Sequence, residues 1–343
     1  MPNQRAIAAE LGLTQATVSL ALRHDPSISV ATRQKVLETA ERLGYRPNAY
    51  VASLMARIRT GRPVPDKGCI GVVYDHPSPE DWIREETYKA QYDGIVQKSS
   101  ELGFHVESFC LRSKHSPPER LEKILYTRGI TGLILQSIGE VNGQDLSLNW
   151  NRYSCAAIAY AWKLPWLDRV SSHHRHNVEL AFRKLRERGY QRIGMCLHSA
   201  AWKGVDASWR AGFYLAGDEV PAGQRLQPFI GYPGETPLPA FKKWLKENRP
   251  DAIISLLGHE MFYLNQLKMK VPEDMGLACV NRPISSEFSG VEENHAQVGA
   301  AVAELVISGI LRNDYGAHPH NKLVLIDGSW VDGQTLCEQK SAS

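Results

Sequence analysis

Residues 4–22 read QRAIAAELGLTQATVSLAL, two short runs of helix-forming residues separated by a glycine. Apolar residues recur along each run at the spacing of one helical face, so each run predicts a short amphipathic helix. Gly12 is expected to end the first helix, and Thr14 is placed to cap the second. The positions expected to face inward are Ile7, Ala8, Leu11, Val18, Ala21 and Leu22.

A third helix is expected to follow, with Ser29 as its N-cap and Gly44 as its stop after Leu43. Two short helices joined by a tight turn, with a third that completes their core, form a helix-turn-helix unit. In such a unit the second helix lies in the major groove of DNA. The residues predicted for the buried face of the third helix are Val36, Leu37, Ala40 and Leu43.

Positive charge is concentrated in the same part of the chain. The first 62 residues contain nine basic and four acidic residues, whereas the rest contains 31 basic and 33 acidic ones. A small cationic segment on a near-neutral body suits a phosphate-binding module. A solvated basic face would carry the same charge, so charge alone leaves both interpretations open.

Three phrases follow one another here: AIAAELGLTQATVSLAL, then ISVATRQKV, then LGYRPN. Their order and spacing resemble the DNA-binding module of the lactose-repressor (LacI) family of bacterial regulators. The resemblance implies that Gln15, Ala16 and Leu20 read bases, glutamine by pairing with adenine and the other two by apolar contact. The family usually has arginine in place of Leu20. A three-helix bundle for protein contacts is the alternative.

The same resemblance implies a second set of residues that touch the DNA backbone, for which hydroxyl, amide and cationic side chains are suited. These residues are Thr14, Thr17, Ser29, Thr32, Arg33 and Asn48.

Residues 49–56, AYVASLMA, have helical propensity but make only about two turns, too few for a stable isolated helix. The resemblance implies a hinge helix that folds on the operator, where Leu54 from each of two copies wedges a central base step. We therefore expect a helix-turn-helix domain over 1–46, a hinge helix and linker over 47–67, and a double-stranded operator and a second copy of the chain as partners.

From residue 68 to 343 short apolar runs alternate with helical patterns, which predicts α/β architecture with parallel sheets covered by helices. A break near Pro165 suggests two halves with a ligand cleft between them. The expected division puts about 68–165 plus 293–320 in the first half and about 166–292 plus 321–343 in the second.

Phrases such as LRERGYQRIGM, VPEDMGLACVN and DGSWVDGQTL resemble the periplasmic-binding-protein-like effector domain of the same family. The resemblance implies a small-molecule effector, of the carbohydrate type, bound between the halves. Several family positions differ here: Trp209 replaces an arginine that holds ligand hydroxyls, Asn281 replaces an aspartate, and Gly258 and His259 replace an Asn-Asp pair.

Aromatic side chains near predicted strand ends are expected to replace this polar set, because flat rings stack on sugar rings. Histidine and asparagine side chains would add hydrogen bonds. The alternative for each tryptophan is packing between helices. The candidate effector-binding residues are His76, Trp82, Tyr160, His173, Trp209, His259 and Asn281.

No metal site, cofactor or catalytic centre is expected. His173 and His174 would point to opposite sides of a strand end, and the sequence has no suitably spaced carboxylate or thiol to complete a site with His176. A G-x-S-x-G elbow and a glycine-rich phosphate loop are missing from the sequence. The chain is therefore predicted not to be an enzyme.

The chain is expected to be cytoplasmic, since it contains no run of 18 apolar residues and no apolar stretch at its N-terminus. Its six cysteines are widely spread without a C-x-x-C pair, which favours buried free thiols.

Together these patterns predict a dimeric transcriptional regulator, in the simplest case a repressor, that binds a palindromic operator under control of an effector. A constitutive DNA-binding regulator with a degenerate, ligand-free cleft is one alternative. A ligand-binding or enzymatic protein with an inactive N-terminal module is the other.

Overall fold

The computed structural model of the 343-residue chain describes residues 4–22, 25, 27–43, 45, 68–76, 78, 82–115, 117–136, 146, 148–164, 166–198, 206–231, 238–318 and 320–339. The helices are α1 (Gln4–Leu11), α2 (Gln15–Leu22), α3 (Val30–Arg42), α4 (Glu86–Glu101), α5 (Pro118–Arg128), α6 (His174–Glu187), α7 (Asp206–Asp218), α8 (Leu238–Asn248), α9 (Glu260–Gln266) and α10 (His295–Arg312). The strands are β1 (Gly68–Tyr74), β2 (Phe104–Cys110), β3 (Gly132–Leu135), β4 (Ser154–Ile158), β5 (Asp168–Ser172), β6 (Ile193–His198), β7 (Phe229–Gly231), β8 (Ala252–Ser255), β9 (Gly276–Cys279), β10 (Ser289–Glu292), β11 (Leu323–Ile326) and β12 (Ser329–Val331).

The three N-terminal helices form as the local signals predict. Gly12 has a φ of 65°, a left-handed conformation that glycine adopts without strain, and it separates α1 from α2. The hydroxyl of Thr14 accepts a hydrogen bond from the Thr17 amide at 3.1 Å. Ser29 caps α3 in the same way, accepting from the Thr32 amide at 3.2 Å. Both predicted N-caps are therefore confirmed.

The core of this module is small and belongs to one face of each helix. Ile7, Val18 and Val36 are completely buried. Leu37, which the sequence predicted to be buried, is 38% exposed. It lies next to Val36 in sequence and so about 100° around α3, beyond the face that two short helices can cover.

Within the described ranges the large domain contains two six-stranded sheets, which confirms the predicted α/β class. The first sheet is parallel throughout, with strand order β2-β1-β3-β4-β5-β11. The second has order β7-β6-β8-β9-β10-β12 and is parallel except for β12, which runs antiparallel to β10.

The strand order corrects the expected division into halves at two places. Strands β5 and β11 were assigned to the second half, but they pair with each other at the edge of the first sheet. The chain therefore crosses between the sheets after β5, after β10 and after β11. Periodicity could not reveal this, because it identifies a strand without identifying its neighbours.

Helices α4 and α10 pack closely beside the first sheet because glycines face the opposite backbone. A Cβ atom on Gly94 would collide with the backbone of Ala296, and one on Gly299 would collide with the backbone of Gln91. The apolar face of α10, including the buried Val302 and Ile307, joins the core of the first half.

All six cysteines are free, and four of them are buried. Burial raises the pKa of the Cys155, Cys196 and Cys279 thiols, so these three behave as small apolar residues. In the part of the chain that the structure describes, no helix combines the length and apolar character needed to span a membrane.

Gly299→Ala is expected to lower the free energy of unfolding by about 1–3 kcal/mol, because the added methyl group forces α4 and α10 apart. Urea denaturation measures the change. The matched control is Gly217→Ala on α7, where a Cβ atom would meet no heavy atom within 4 Å. That change should be neutral or stabilise by up to about 1 kcal/mol. Equal effects of the two substitutions would contradict the close packing of α4 against α10.

Candidate DNA-binding surface and interdomain cleft

The N-terminal end of α2 presents an exposed polar surface. Gln15 and Ala16 are exposed, and Leu20, one turn later, is half-buried. Arg5 lies beside this surface and donates from its Nε atom to Oε1 of Gln15 at 3.4 Å. A carboxamide at the start of an exposed helix is suited to reach the edge of a base.

Hydroxyl groups mark the beginning of both α2 and α3. The oxygens of Thr14 and Thr17 lie 2.8 Å apart, as do those of Ser29 and Thr32. These side chains cap the two helices, and backbone amides at helix N-termini are suited to bind phosphate. Their predicted contacts with DNA stay predictions.

Arg33 holds the loop before α3, and its predicted contact with a phosphate stays a prediction. Its Nη2 atom donates to the carbonyl oxygens of Asp25 at 3.0 Å and Ile28 at 3.1 Å, so its guanidinium group holds the loop before α3. Asn48 and Leu54 lie outside the described residues, and so does the expected hinge helix.

A cavity of about 240 Å³ lies between the two halves of the large domain. Its walls come from the start of α4, from the loops that follow β8 and β9, and from the start of α10. Ligands in α/β folds bind outside the carboxyl ends of parallel strands, which is where these two loops lie. The lining residues are Glu85, Glu86, Thr87, Leu257, Asn281, Arg282, Pro283, Ile284 and His295.

Glu86 connects the two halves at the mouth of this cavity. Its carboxylate accepts a hydrogen bond from the Ile284 amide at 3.0 Å and another from the Ser285 hydroxyl at 2.9 Å. Arg282 shapes the same loop, donating from Nε to the Phe288 carbonyl at 2.7 Å. The loop therefore presents fixed donors to α4 across the cleft.

His295 is the buried polar group at the back of the cavity. Its Nε2 atom lies 3.0 Å from Oδ1 of Asn281 and 3.4 Å from the Thr87 hydroxyl, so it contacts both halves. Burial lowers the pKa of His295, although Glu293 opposes the shift, and the ring is neutral at pH 7. With Nε2 donating to Asn281, Nδ1 is a free acceptor, and it is buried without a hydrogen-bond partner among the described residues.

Beside His295, a buried carboxylate lies where the chain crosses from β10 to α10. Oε1 of Glu293 is 3.0 Å from Nδ1 of His174 and accepts a hydrogen bond from Nδ2 of Asn177 at 3.2 Å. Burial alone would raise the pKa of Glu293, but the nearby His174 and His295 hold it below its ordinary value. Oδ1 of Asn177 also accepts a hydrogen bond from the Gly328 amide at 3.0 Å. This bond connects α6 to the segment between β11 and β12.

The two candidate tryptophans, Trp82 and Trp209, do not line this cavity, because their rings pack inside the two halves. Trp82 is 3% exposed and stacks on Tyr74 with ring centroids 4.5 Å apart. Trp209 is also 3% exposed and lies edge-on to His174 in the core of the second half. Trp162 is fully buried.

The remaining predicted residues are not brought together at the cavity. Nδ1 of His76 accepts a hydrogen bond from the Ser78 amide at 3.1 Å. The centroid of the Tyr160 ring lies 5.7 Å from the guanidinium carbon of Arg169. His173 faces Asp327, and His259 is exposed at the start of α9. Of the seven candidates, Asn281 is the one that lines the cavity.

Glu86, Arg282 and His295 line the cavity without having been expected from the sequence. Glu86 looks like an ordinary acidic residue in the first turn of a helix, where such residues are common. His295 carried a usable signal, since it opens a helix immediately after a strand of the second sheet. Asp327 was equally unexpected as a neighbour of His173, because the two are 154 positions apart.

Glu86→Ala is expected to open the contact between the halves while leaving the fold intact. Hydrogen exchange at the Ile284 amide should rise by roughly two- to tenfold, the equivalent of about 0.5–1.5 kcal/mol for one hydrogen bond. Asp93→Ala is the matched control, because Asp93 pairs with Lys89 on the same helix. Unchanged exchange at Ile284 in the Glu86 variant would show that the carboxylate does not hold the cleft.

Two kinds of sequence comparison relate the chain to known proteins. Residues 5–48 match the family described as bacterial regulatory proteins, lacI family, and residues 182–336 match the periplasmic binding protein-like domain. Catabolite control protein A of Priestia megaterium is 45% identical over 62 residues, 18% of this chain. An HTH-type transcriptional regulator of Mycobacterium tuberculosis is 28% identical over 144 residues, 40% of this chain. The matches cover 19% and 37% of those two relatives.

Solved structures share the fold over nearly the whole chain. The transcriptional regulator CelR-cellobiose complex has a TM-score of 0.58 at 18% identity, over 98% of this chain and 100% of that one. The lac repressor dimer bound to operator and the anti-inducer ONPF has a TM-score of 0.56 at 16% identity, over 98% and 99%. A regulator from Enterococcus faecium with bound ribose has a TM-score of 0.56 at 14% identity, over 79% and 100%. The chain therefore contains a lacI-family DNA-binding module over residues 5–48 and a periplasmic binding protein-like domain over residues 182–336, in a fold that these solved regulators share.

Proposed function

We propose that this protein is a sequence-specific transcriptional repressor that binds a palindromic operator as a homodimer in the cytoplasm. A small carbohydrate-type effector in the interdomain cleft would set its affinity for DNA. The observation that carries the proposal is the capped helix-turn-helix module, whose second helix exposes Gln15 at its N-terminal end. The lacI-family match covers the same residues.

On the DNA side, α2 enters the major groove and Gln15 reads a base edge, with adenine as its natural partner. Ala16 and Leu20 supply apolar contacts, for example with a thymine methyl group. The hydroxyls of Thr14 and Ser29 lie at helix starts, where they and the first backbone amides approach phosphates.

Dimeric binding follows from the size of one module. A single helix in the major groove reads only a few base pairs, so two modules related by two-fold symmetry are needed for a specific site. Leu54, from the segment between the two domains, is proposed to wedge the central base step from the minor groove.

The cavity is suited to a small ligand with several hydroxyl groups. At about 240 Å³ it lies below the roughly 300–1,000 Å³ of drug-sized sites. Glu86 and Nδ1 of His295 accept hydrogen bonds, whereas Thr87 and Asn281 can donate as well as accept. The cellobiose and ribose found with two structural relatives support a carbohydrate as the class of effector.

Coupling between the sites requires that the effector bind two arrangements of the halves unequally. In the present arrangement the Glu86 carboxylate accepts hydrogen bonds from Ile284 and Ser285 of the opposite half. A ligand hydroxyl that donates to this carboxylate would compete with those bonds and so with closure of the cleft. A change at the cleft then alters how two copies present their DNA-binding modules.

The test is selection from random duplexes by the purified full-length chain, at one fixed ionic strength, with and without a panel of mono- and disaccharides. We expect a palindrome of two adjoining half-sites whose recovery changes with at least one sugar. Failure to enrich any sequence would overturn the proposal. A palindrome indifferent to every sugar would retain the DNA-binding part and overturn the carbohydrate effector.

Gln15→Ala should relax one symmetric pair of positions in the selected palindrome. It should also weaken binding by about 1–3 kcal/mol for each bidentate glutamine–adenine pair that it removes. Repeating the selection, together with titration of the wild-type site, measures both effects. Gln34→Ala is the matched control, since Gln34 is a glutamine of the same module on α3. If Gln15→Ala selects the same sequence with the same affinity, Gln15 does not read a base.

A further inference from the structure

Two histidines and an aspartate meet where the chain crosses between the two halves of the large domain, outside the cleft cavity. His173 and His176 lie at the start of α6, and Asp327 follows β11. One ligand atom from each of the three side chains lies within 4.8 Å of the other two. Throughout the described ranges, no other group of three histidine, cysteine, aspartate or glutamate side chains meets this spacing.

The first turn of α6 separates its histidines onto two sides. His174 turns inward to Glu293, whereas His173 and His176 stack with ring centroids 5.4 Å apart and 23° between their planes. Nδ1 of His173 lies 2.7 Å from Oδ1 of Asp327. The side chains of His173 and Asp327 are 24% and 63% exposed, which leaves space for water.

We propose that His173, His176 and Asp327 bind one divalent transition-metal ion of the zinc type. Two imidazole nitrogens and one carboxylate oxygen suit Zn²⁺, Co²⁺ or Ni²⁺, whereas Mg²⁺ and Ca²⁺ prefer oxygen ligands throughout. Water completes a tetrahedral set around three protein ligands.

The surrounding backbone holds the ligand-bearing segments in place. The His173 amide donates to the Ile326 carbonyl at 2.8 Å, which joins the start of α6 to the end of β11. Asn294 donates from Nδ2 to the Asp327 carbonyl at 2.7 Å, so the crossing after β10 also supports the site. Such fixed neighbours reduce the ordering cost of binding an ion.

Electrostatics give Asp327 a particular importance. Oδ1 of Asp327 lies 2.7 Å from Nδ1 of His173, and an ion bound by both groups displaces the proton of this hydrogen bond. The N-terminal end of α6 carries partial positive charge and repels a cation. The negative charge of Asp327 offsets that repulsion, and two histidines alone would bind more weakly.

An ion at this position would join two of the three crossings between the halves. His173 and His176 belong to the segment that leaves β5 for α6, and Asp327 to the segment that leaves β11 for β12. A metal ion shared by these segments would resist relative rotation of the halves. Because the ion binds the folded chain, it should also raise the melting temperature without any DNA or sugar present.

The experiment uses the full-length chain without a histidine tag, stripped with EDTA and titrated with Co²⁺ while its visible absorption is recorded. Zn²⁺ is then added in competition. We expect one ion per chain, and both His176→Gln and Asp327→Asn should weaken binding by more than about tenfold. His318→Gln is the matched control, because His318 forms another histidine-aspartate pair, 3.6 Å from Asp314.

Each outcome decides the proposal. Binding of one ion per chain that both variants weaken by more than about tenfold and the control retains supports it. Failure to bind Co²⁺ and Zn²⁺, or equal affinity in His176→Gln and wild type, overturns it. Circular dichroism of the stripped proteins checks folding, and if one variant does not fold, the other still decides the question. Operator selection is a separate measurement, so failure here leaves the proposed function standing.

Discussion

A buried carboxylate constrains the arrangement of the large domain. Glu293 is 3% exposed, and an ionised group at that depth costs several kcal/mol unless it is paired and hydrogen-bonded. His174 and Asn177 supply those partners from α6, and the His295 ring at the start of α10 lies 4.0 Å from the same carboxylate. The starts of the two helices must therefore lie together, although one helix packs in the second half and the other in the first.

The same junction places the polar part of the cleft. His295 follows Glu293 by two residues, and its ring reaches Asn281 of the second half and Thr87 of the first. The close approach of α10 to α4, which Gly94 and Gly299 permit, brings Thr87 into that range. The crossing from β10 to α10 therefore connects the two halves and also lines the cleft. A ligand bound to His295 would act directly on the crossing that connects the halves, and no long relay of side chains is needed.

How well a site could be predicted depended on the sequence distance between its parts. The helix-turn-helix module was predicted almost residue by residue, because caps and amphipathic spacing act over three or four positions. The cleft was predicted poorly. Trp82 follows β1 and Trp209 lies in the first turn of α7, but local position does not distinguish a ring that faces a cleft from one that fills a core. Glu86 and Ile284 are 198 positions apart, and no local pattern relates them.

By itself, the sequence determined the three N-terminal helices, the alternation of strands and helices and the α/β class, since hydrogen bonding and periodicity within each segment decide these features. Only the tertiary structure decided that β5 and β11 close the first sheet, that Asp327 lies beside His173, and that Asn281 meets His295. Strand order and the direction of each crossing bring such residues together. Both depend on which apolar faces bury one another across the whole chain. The pattern of residues within a single segment does not indicate which other segment it will pack against.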